Sequence, residues 1–165
     1  MTKLNLACGE DYKNGYINVD FYDTRKADEV WDIRNIPYPD NSVDEILASH
    51  IIEHFDAKSG PIILKEWLRV LKPGGILKLE TPDLLSTCKD FVAADEQRRI
   101  LLYPNFFSMA EITPGQAHLF LYTEFQLFGC LRAVGYSTIK RVTPWSNYAT
   151  NQSEHHLFLA VEATK

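Results

Sequence analysis

Apolar and polar positions alternate in short bursts along the first half of the chain. Leu4-Asn5-Leu6-Ala7, Tyr16-Ile17-Asn18-Val19-Asp20, Glu29-Val30-Trp31-Asp32 and Val43-Asp44-Glu45-Ile46-Leu47-Ala48 each read as a strand. The first runs into Gly9, the second and third end in an acid, and the fourth runs into Ser49-His50. The period then changes. Ile62, Ile63, Leu64, Trp67, Leu68, Val70 and Leu71 recur at helical spacing, with Gly60-Pro61 as a start and Pro73-Gly74-Gly75 as a stop. Ile76 to Glu80 alternates again, a fifth strand closed by Pro82. Leu84 to about Leu102 is helical in part, and Tyr103 to Tyr122 is irregular and rich in aromatics. Thr123-Glu124-Phe125-Gln126 reads as a capping box that opens a helix through Val134, with Gly135 as its stop. Tyr136–Thr143 and His155–Ala163 are the sixth and seventh strands, with only a loop between them. Strands alternating with helices predict an α/β domain with a mostly parallel sheet, and the strand–loop–strand ending predicts an antiparallel pair at one edge.

The chain has 165 residues, which suits one domain over 1–165. Lys plus Arg number 17 and Asp plus Glu 22, a net charge of −5. That balance argues against general binding to nucleic acid or to an anionic membrane, both of which need a basic face. Cys8, Cys88 and Cys130 are far apart and form no C-x-x-C pair. A disulfide framework or zinc knuckle is therefore not expected, and a reducing, cytoplasmic setting is. The first residues enter a strand without the apolar core of a signal peptide, and no apolar run reaches the roughly 18 residues of a membrane span.

Three positions suggest chemistry. A strand running into Ala7-Cys8-Gly9 lets main chain approach a ligand closely, and at the carboxyl edge of a parallel sheet such loops hold nucleotides. Asp20 at the next strand end can accept from the two hydroxyls of a ribose. Asp32 after the third strand can accept from an adenine amino group. Each has a plain alternative: an ordinary glycine turn, a solvated strand-end aspartate, and a helix or turn cap.

Taken in order, these segments resemble the class I S-adenosylmethionine-dependent methyltransferases. The resemblance rests on Leu4-Asn5-Leu6-Ala7-Cys8-Gly9, Asn18-Val19-Asp20, Asp32-Ile33, Ile36-Pro37-Tyr38-Pro39-Asp40-Asn41-Ser42-Val43-Asp44 and Ala48-Ser49-His50-Ile51-Ile52-Glu53-His54. It continues through Glu66-Trp67-Leu68-Arg69-Val70-Leu71-Lys72-Pro73-Gly74-Gly75 and His118 to Gly135. It covers most of the chain and is weakest over residues 95–115. It implies a Rossmann-like three-layer sandwich on a mostly parallel seven-stranded sheet with an antiparallel C-terminal edge hairpin. It also implies S-adenosylmethionine as cofactor and transfer to the oxygen or nitrogen of a small-molecule acceptor. Ala7, Cys8 and Gly9 would line the methionine part, Asp20 would hold the ribose and Phe21 would border the adenine. Asp32 and Ile33 would meet the adenine edge, and Ser49 and His50 would sit near the reactive methyl.

Some features depart from the family text. The first glycine of the usual Gly-x-Gly is Ala7, and only ten residues separate Gly9 from Asp20, too few for a full crossover helix. The second crossover is also short. The expectation is an open cofactor site that a partner subunit, as in a homodimer, or ordered substrate completes, with an acceptor-site lid around 95–122. For a general base His118 comes first and His50 second, since an imidazole titrates near neutrality. His54 reads as orienting its loop with Glu53. His155 and His156 are adjacent on a strand, point to opposite faces and make a poor metal site, so no metal is expected. Cys8 reads as a small loop filler, and Cys88 and Cys130 as helix packing. Tyr103, Phe106, Phe107, Phe120 and Tyr122 either cap the acceptor pocket or form core beneath the lid. Two other readings compete: a catalytically inactive cofactor-binding or assembly protein, motivated by Ala7, and a nicotinamide-dependent oxidoreductase, which leaves Lys72-Pro73-Gly74-Gly75 and Glu53-His54 unexplained.

Overall fold

The computed structural model describes residues 1–22, 26–108, 116–145 and 152–165. Its strands are β1 (Lys3–Leu6), β2 (Ile17–Asp20), β3 (Glu29–Val30), β4 (Val43–Ser49), β5 (Leu71–Pro82), β6 (Ile139–Val142) and β7 (Phe158–Thr164). Its helices are α1 (Ser59–Val70), α2 (Leu84–Ala93), α3 (Glu96–Phe107) and α4 (Glu124–Val134). One sheet joins all seven strands in the order β3-β2-β1-β4-β5-β7-β6. Pairings from β3 across to β5 are parallel, whereas β7 runs antiparallel to both β5 and β6. The reversed strand is thus β7, one in from the edge, and it closes the terminal hairpin with β6.

Side-chain alternation sorts the two faces. Leu4, Leu6, Ile46, Ala48, Leu77, Leu79, Leu159 and Val161 lie on the face that receives Ile63, Leu64 and Trp67 of α1 with Leu127 and Leu131 of α4. Trp67 is fully buried, and its indole N–H donates to the Ile33 carbonyl at 3.0 Å, so its one polar atom is satisfied inside the core. The register sets Asn18, Asn5, Leu47, Lys78, Glu162 and Lys140 in a row on the opposite face. There Glu45 accepts from Tyr16 and from Lys78 at 3.0 Å, and Lys140 pairs with Glu162 at 2.8 Å. Burial pushes the Glu45 carboxyl up, but the Tyr16 hydroxyl and the lysines outweigh it and hold it below the usual glutamate range. No helix follows β1 among the described residues, as the ten-residue crossover requires. The α2–α3 pair instead packs on the turn before β7.

Several boundaries shift from the sequence reading, each for a local reason. The stretch from Leu84 breaks into two helices because Asp83 and Asp95 each cap a new one, accepting from Leu85 and Ser86 and from Arg98 respectively. α3 then runs on to Phe107, so part of the stretch read as irregular is helical. β5 begins at Leu71, and Lys72 to Gly75 form a bulged part of the strand rather than a turn before it. There Gly74 sits at φ +79° and donates its N–H to Lys165. β3 ends at Val30, leaving Asp32 in the following turn, and β6 is only four residues long. Gln152–Leu157 is a 3-10 turn, so His155 and His156 precede the strand. Cys88 is exposed rather than packed, Cys130 is half-buried, and Cys8 is buried as a filler should be. No helix among the described residues is long and apolar enough to cross a membrane.

Candidate active site

A cavity of about 1010 Å³ opens at the carboxyl ends of the parallel strands. Every residue singled out for the cofactor lines it: Ala7, Cys8 and Gly9 after β1, Asp20 and Phe21 at β2, Asp32 and Ile33 past β3, and Ser49 and His50 after β4. This is where a doubly wound sheet collects ligands, because adjacent connections part there and leave main-chain groups facing a crevice. His118 joins them from the far side of the chain.

The loop after β1 is fixed by main chain. Cys8 donates its N–H to Val19 and accepts one from Asp11, while Gly9 donates to Asp20 Oδ2 at 2.8 Å. The other Asp20 oxygen accepts from Tyr22 N–H at 3.0 Å. Asp20 therefore ties the glycine loop to its own strand end and still faces the cavity. Ala7 and His50 both have φ +52°, in the left-handed region that a Cβ disfavours. Ala7 adopts the backbone for which the usual glycine is suited, so the substitution keeps the turn at some cost in strain.

Asp32 is held by Arg34, which the sequence reading passed over. The Arg34 guanidinium donates to both carboxylate oxygens and its main-chain N–H donates to Oδ1, which holds Asp32 below the usual aspartate range. An adenine amino group would share this carboxylate with Arg34.

His50 is placed between two fully buried carboxylates, with Nδ1 3.3 Å from Glu53 and Nε2 3.1 Å from Glu80. Burial works against its charge, but the two acids outweigh that and raise its pKa to about 9. Both ring nitrogens face carboxylates, an arrangement that favours the protonated ring and counts against the expectation of His50 as a second candidate base. His118 behaves oppositely. Burial lowers its pKa below the usual histidine value. Its Nδ1 lies 3.1 Å from the Asn105 carbonyl, which assigns the proton to Nδ1 and leaves Nε2 as acceptor.

The described residues of the region expected to be a lid fall into two parts. Leu101, Leu102, Pro104 and Asn105 of α3 line the cavity, whereas Tyr103, Phe106 and Phe107 do not. Tyr103 and Phe106 pack on Phe91 of α2, with centroids 5.9 and 5.6 Å away. Phe120 packs on the buried Tyr122 in the main core. These aromatics thus pack away from the cavity rather than line it. Residues 109–115 of the expected lid lie outside the described residues. Arg98 and Glu154, paired at 2.8 Å on the cavity wall, were also missed, because 56 residues separate them in sequence.

Comparisons with known proteins agree with this fold. A methyltransferase-domain family model matches residues 7–79. A SAM-dependent methyltransferase from Archaeoglobus fulgidus superposes with TM-score 0.65 at 17% identity, covering 99% of this chain and 86% of that one. One from Thermotoga maritima, described as a possible histamine N-methyltransferase, superposes with TM-score 0.61 at 17% identity, covering 99% and 82%. The 1,6-didemethyltoxoflavin-N1-methyltransferase of Burkholderia thailandensis, with that substrate and S-adenosylhomocysteine bound, gives TM-score 0.64 at 13% identity, covering 99% and 70%. No curated protein matches the sequence. Residues 7–79 thus match a methyltransferase domain, and the whole chain shares the fold of S-adenosylmethionine-dependent methyltransferases.

The cavity fits that family's cofactor. Its volume is at the upper end of ordinary ligand pockets, roughly 300–1,000 Å³, which leaves room for a second reactant. Ser49 Oγ is buried on its wall without a hydrogen-bond partner among the described residues, an orphan hydroxyl that a polar ligand group would satisfy.

Proposed function

We propose that the protein methylates an oxygen or nitrogen of a small molecule, with His118 as the base. What supports this reading is one observation: a single cavity gathers the loop Ala7–Gly9, Asp20, Asp32 and His118 from distant parts of the sequence. S-adenosylmethionine supplies an electrophilic methyl sulfonium, which leaves the protein the tasks of alignment, desolvation and proton removal. Ala7, Cys8 and Gly9 hold the methionine part, Asp20 accepts from the ribose hydroxyls, Phe21 borders the adenine, and Asp32 and Ile33 meet its edge. Ser49 and His50 bound the space beside the reacting centre. His118 Nε2 accepts the proton of a hydroxyl or ammonium acceptor, and Leu101 and Leu102 keep bulk water away from that side.

Calorimetric titration with S-adenosylmethionine and S-adenosylhomocysteine tests the cofactor assignment, and saturable 1:1 binding of both is expected. Absence of binding removes the enzyme reading and leaves an inactive relative. Labelled-methyl transfer to a panel of hydroxyl and amine acceptors then tests the base. His118→Ala should lower turnover by about 10²–10⁴-fold with cofactor affinity unchanged. A variant that turns over at full speed rules the role out.

A further inference from the structure

Around the proposed base His118 lies a cluster whose other two members, Glu53 and His54, the methyltransferase reading does not use. One ligand-capable atom from each of Glu53, His54 and His118 lies within 4.8 Å of the other two. The 3-10 turn Ile52–His54 carries the first two, and the segment leading to α4 carries the third. Main chain clamps these pieces together: the Glu53 carbonyl accepts from Leu119 N–H at 2.8 Å and from Phe120 N–H at 3.2 Å.

Each histidine is oriented through Nδ1, and Glu53 is oriented through Oε2, its Oε1 lying beside the His50 ring. His54 Nδ1 is 3.2 Å from the Ala117 carbonyl, and His118 Nδ1 is 3.1 Å from the Asn105 carbonyl. Both rings therefore keep Nε2 as the nitrogen with a lone pair, in the outer-shell pattern that metal-binding histidines show. Their centroids are 5.0 Å apart, edge to face. Glu53 is fully buried. Its Oε2 accepts from Thr81 Oγ1 at 3.0 Å, while Oε1 lacks a hydrogen bond of good geometry among the described residues, although His50 Nδ1 stands 3.3 Å away.

We infer that Glu53, His54 and His118 form a site for a divalent transition-metal ion of the zinc class. Two imidazoles and one carboxylate suit zinc or cobalt and not the harder magnesium or calcium. Zinc–nitrogen bonds of about 2.0–2.1 Å put tetrahedral ligands roughly 3.3 Å apart, so the cluster contracts by an ångström or so on binding. His54 is half-buried at the cavity wall, which gives an ion a way in. The consequence for catalysis rests on the reading of His118 as base. One lone pair on Nε2 serves either a proton or a metal, so a zinc-loaded protein lacks its base, and the site acts as an off switch.

The test uses the full chain, stripped with chelator. Zn²⁺ titration by calorimetry should give one site per chain. Co²⁺ should give the intense visible bands of a four- or five-coordinate ion. His54→Ala, whose fold is checked by circular dichroism, should weaken Zn²⁺ binding at least about tenfold, and so should the near-isosteric Glu53→Gln. His156→Ala, a histidine paired elsewhere with Asp90, should bind like the wild type. In the transfer assay, His54→Ala should require at least about tenfold more zinc for half inhibition. Wild-type binding no tighter than that of His54→Ala, or a Co²⁺ spectrum identical to the hydrated ion, overturns the proposal. Cofactor titration in EDTA reads the methyltransferase assignment separately, so the two failures are distinguishable.

Discussion

The two walls of the cavity are built by different means. The wall at β1 to β3 is main chain: Gly9, Cys8 and Tyr22 hold it through N–H groups, and Asp20 ties two strand ends at once. The opposite wall is side chain and helix: α3, His118, and the His50 ring between Glu53 and Glu80. A main-chain wall tolerates changes of side chain while keeping its shape. A wall of buried charges has its shape and its stability in the same few residues.

Substitution should therefore hurt the second wall most. Glu80→Ala removes one partner of a buried pair and also strands the Trp145 N–H that donates to Glu80 Oε2 at 2.8 Å. His50 keeps Glu53 as its other partner, so the cost in urea denaturation should be about 1–3 kcal/mol, the usual penalty for buried polar groups left unsatisfied. A loss under 1 kcal/mol would erase the contrast. On the main-chain wall, Asp20→Ala should leave the fold intact but weaken S-adenosylmethionine by roughly tenfold or more, from about 1.5–3 kcal/mol per charge-assisted bond. Unchanged affinity in calorimetry contradicts the ribose role. Smaller still, Ala7→Gly relieves the backbone strain at φ +52° and should raise stability by about 0.5–1 kcal/mol, read as a higher melting temperature. A lower melting temperature would show that the alanine methyl packs usefully.

Away from both walls, the polar sheet face provides a control with a pH signature. Glu45 ionises more readily in the fold than in the unfolded chain. Its contribution is present above the ordinary value of 4.5 and is lost as pH falls through the lower folded value. Glu45→Gln should accordingly flatten the acid limb of a stability–pH curve and match the wild type at the lowest pH. Parallel curves would mean that Tyr16, Lys3 and Lys78 give the ionised form no advantage.

The first wall was the more legible one. Its parts sit at strand ends within the first 33 residues, and a strand end declares itself by alternation followed by a glycine or an acid. Asp32 was found but its partner Arg34 was not, although a charge two residues beyond a turn aspartate is a signal that could have been used. His50 is legible as a histidine at the end of β4, but its charge surroundings are not. Nothing in its neighbours announces that Glu80, thirty residues on, lies beside its ring. The full extent of α3 was less legible because aromatics from Tyr103 onward mask the cap at Asp95 and the continuing turn to Phe107.

By itself the amino-acid order determined the element types, the parallel sheet with its reversed end, and the residues at the strand tips. These follow from periodicity, caps and turns, which act over a few residues. Only the tertiary structure decided which carboxylates flank His50, that His118 keeps Nε2 as its acceptor, and that Glu53, His54 and His118 converge. Those facts depend on burial and on contacts between segments far apart in the chain, and the protonation of an imidazole responds to what surrounds it in space.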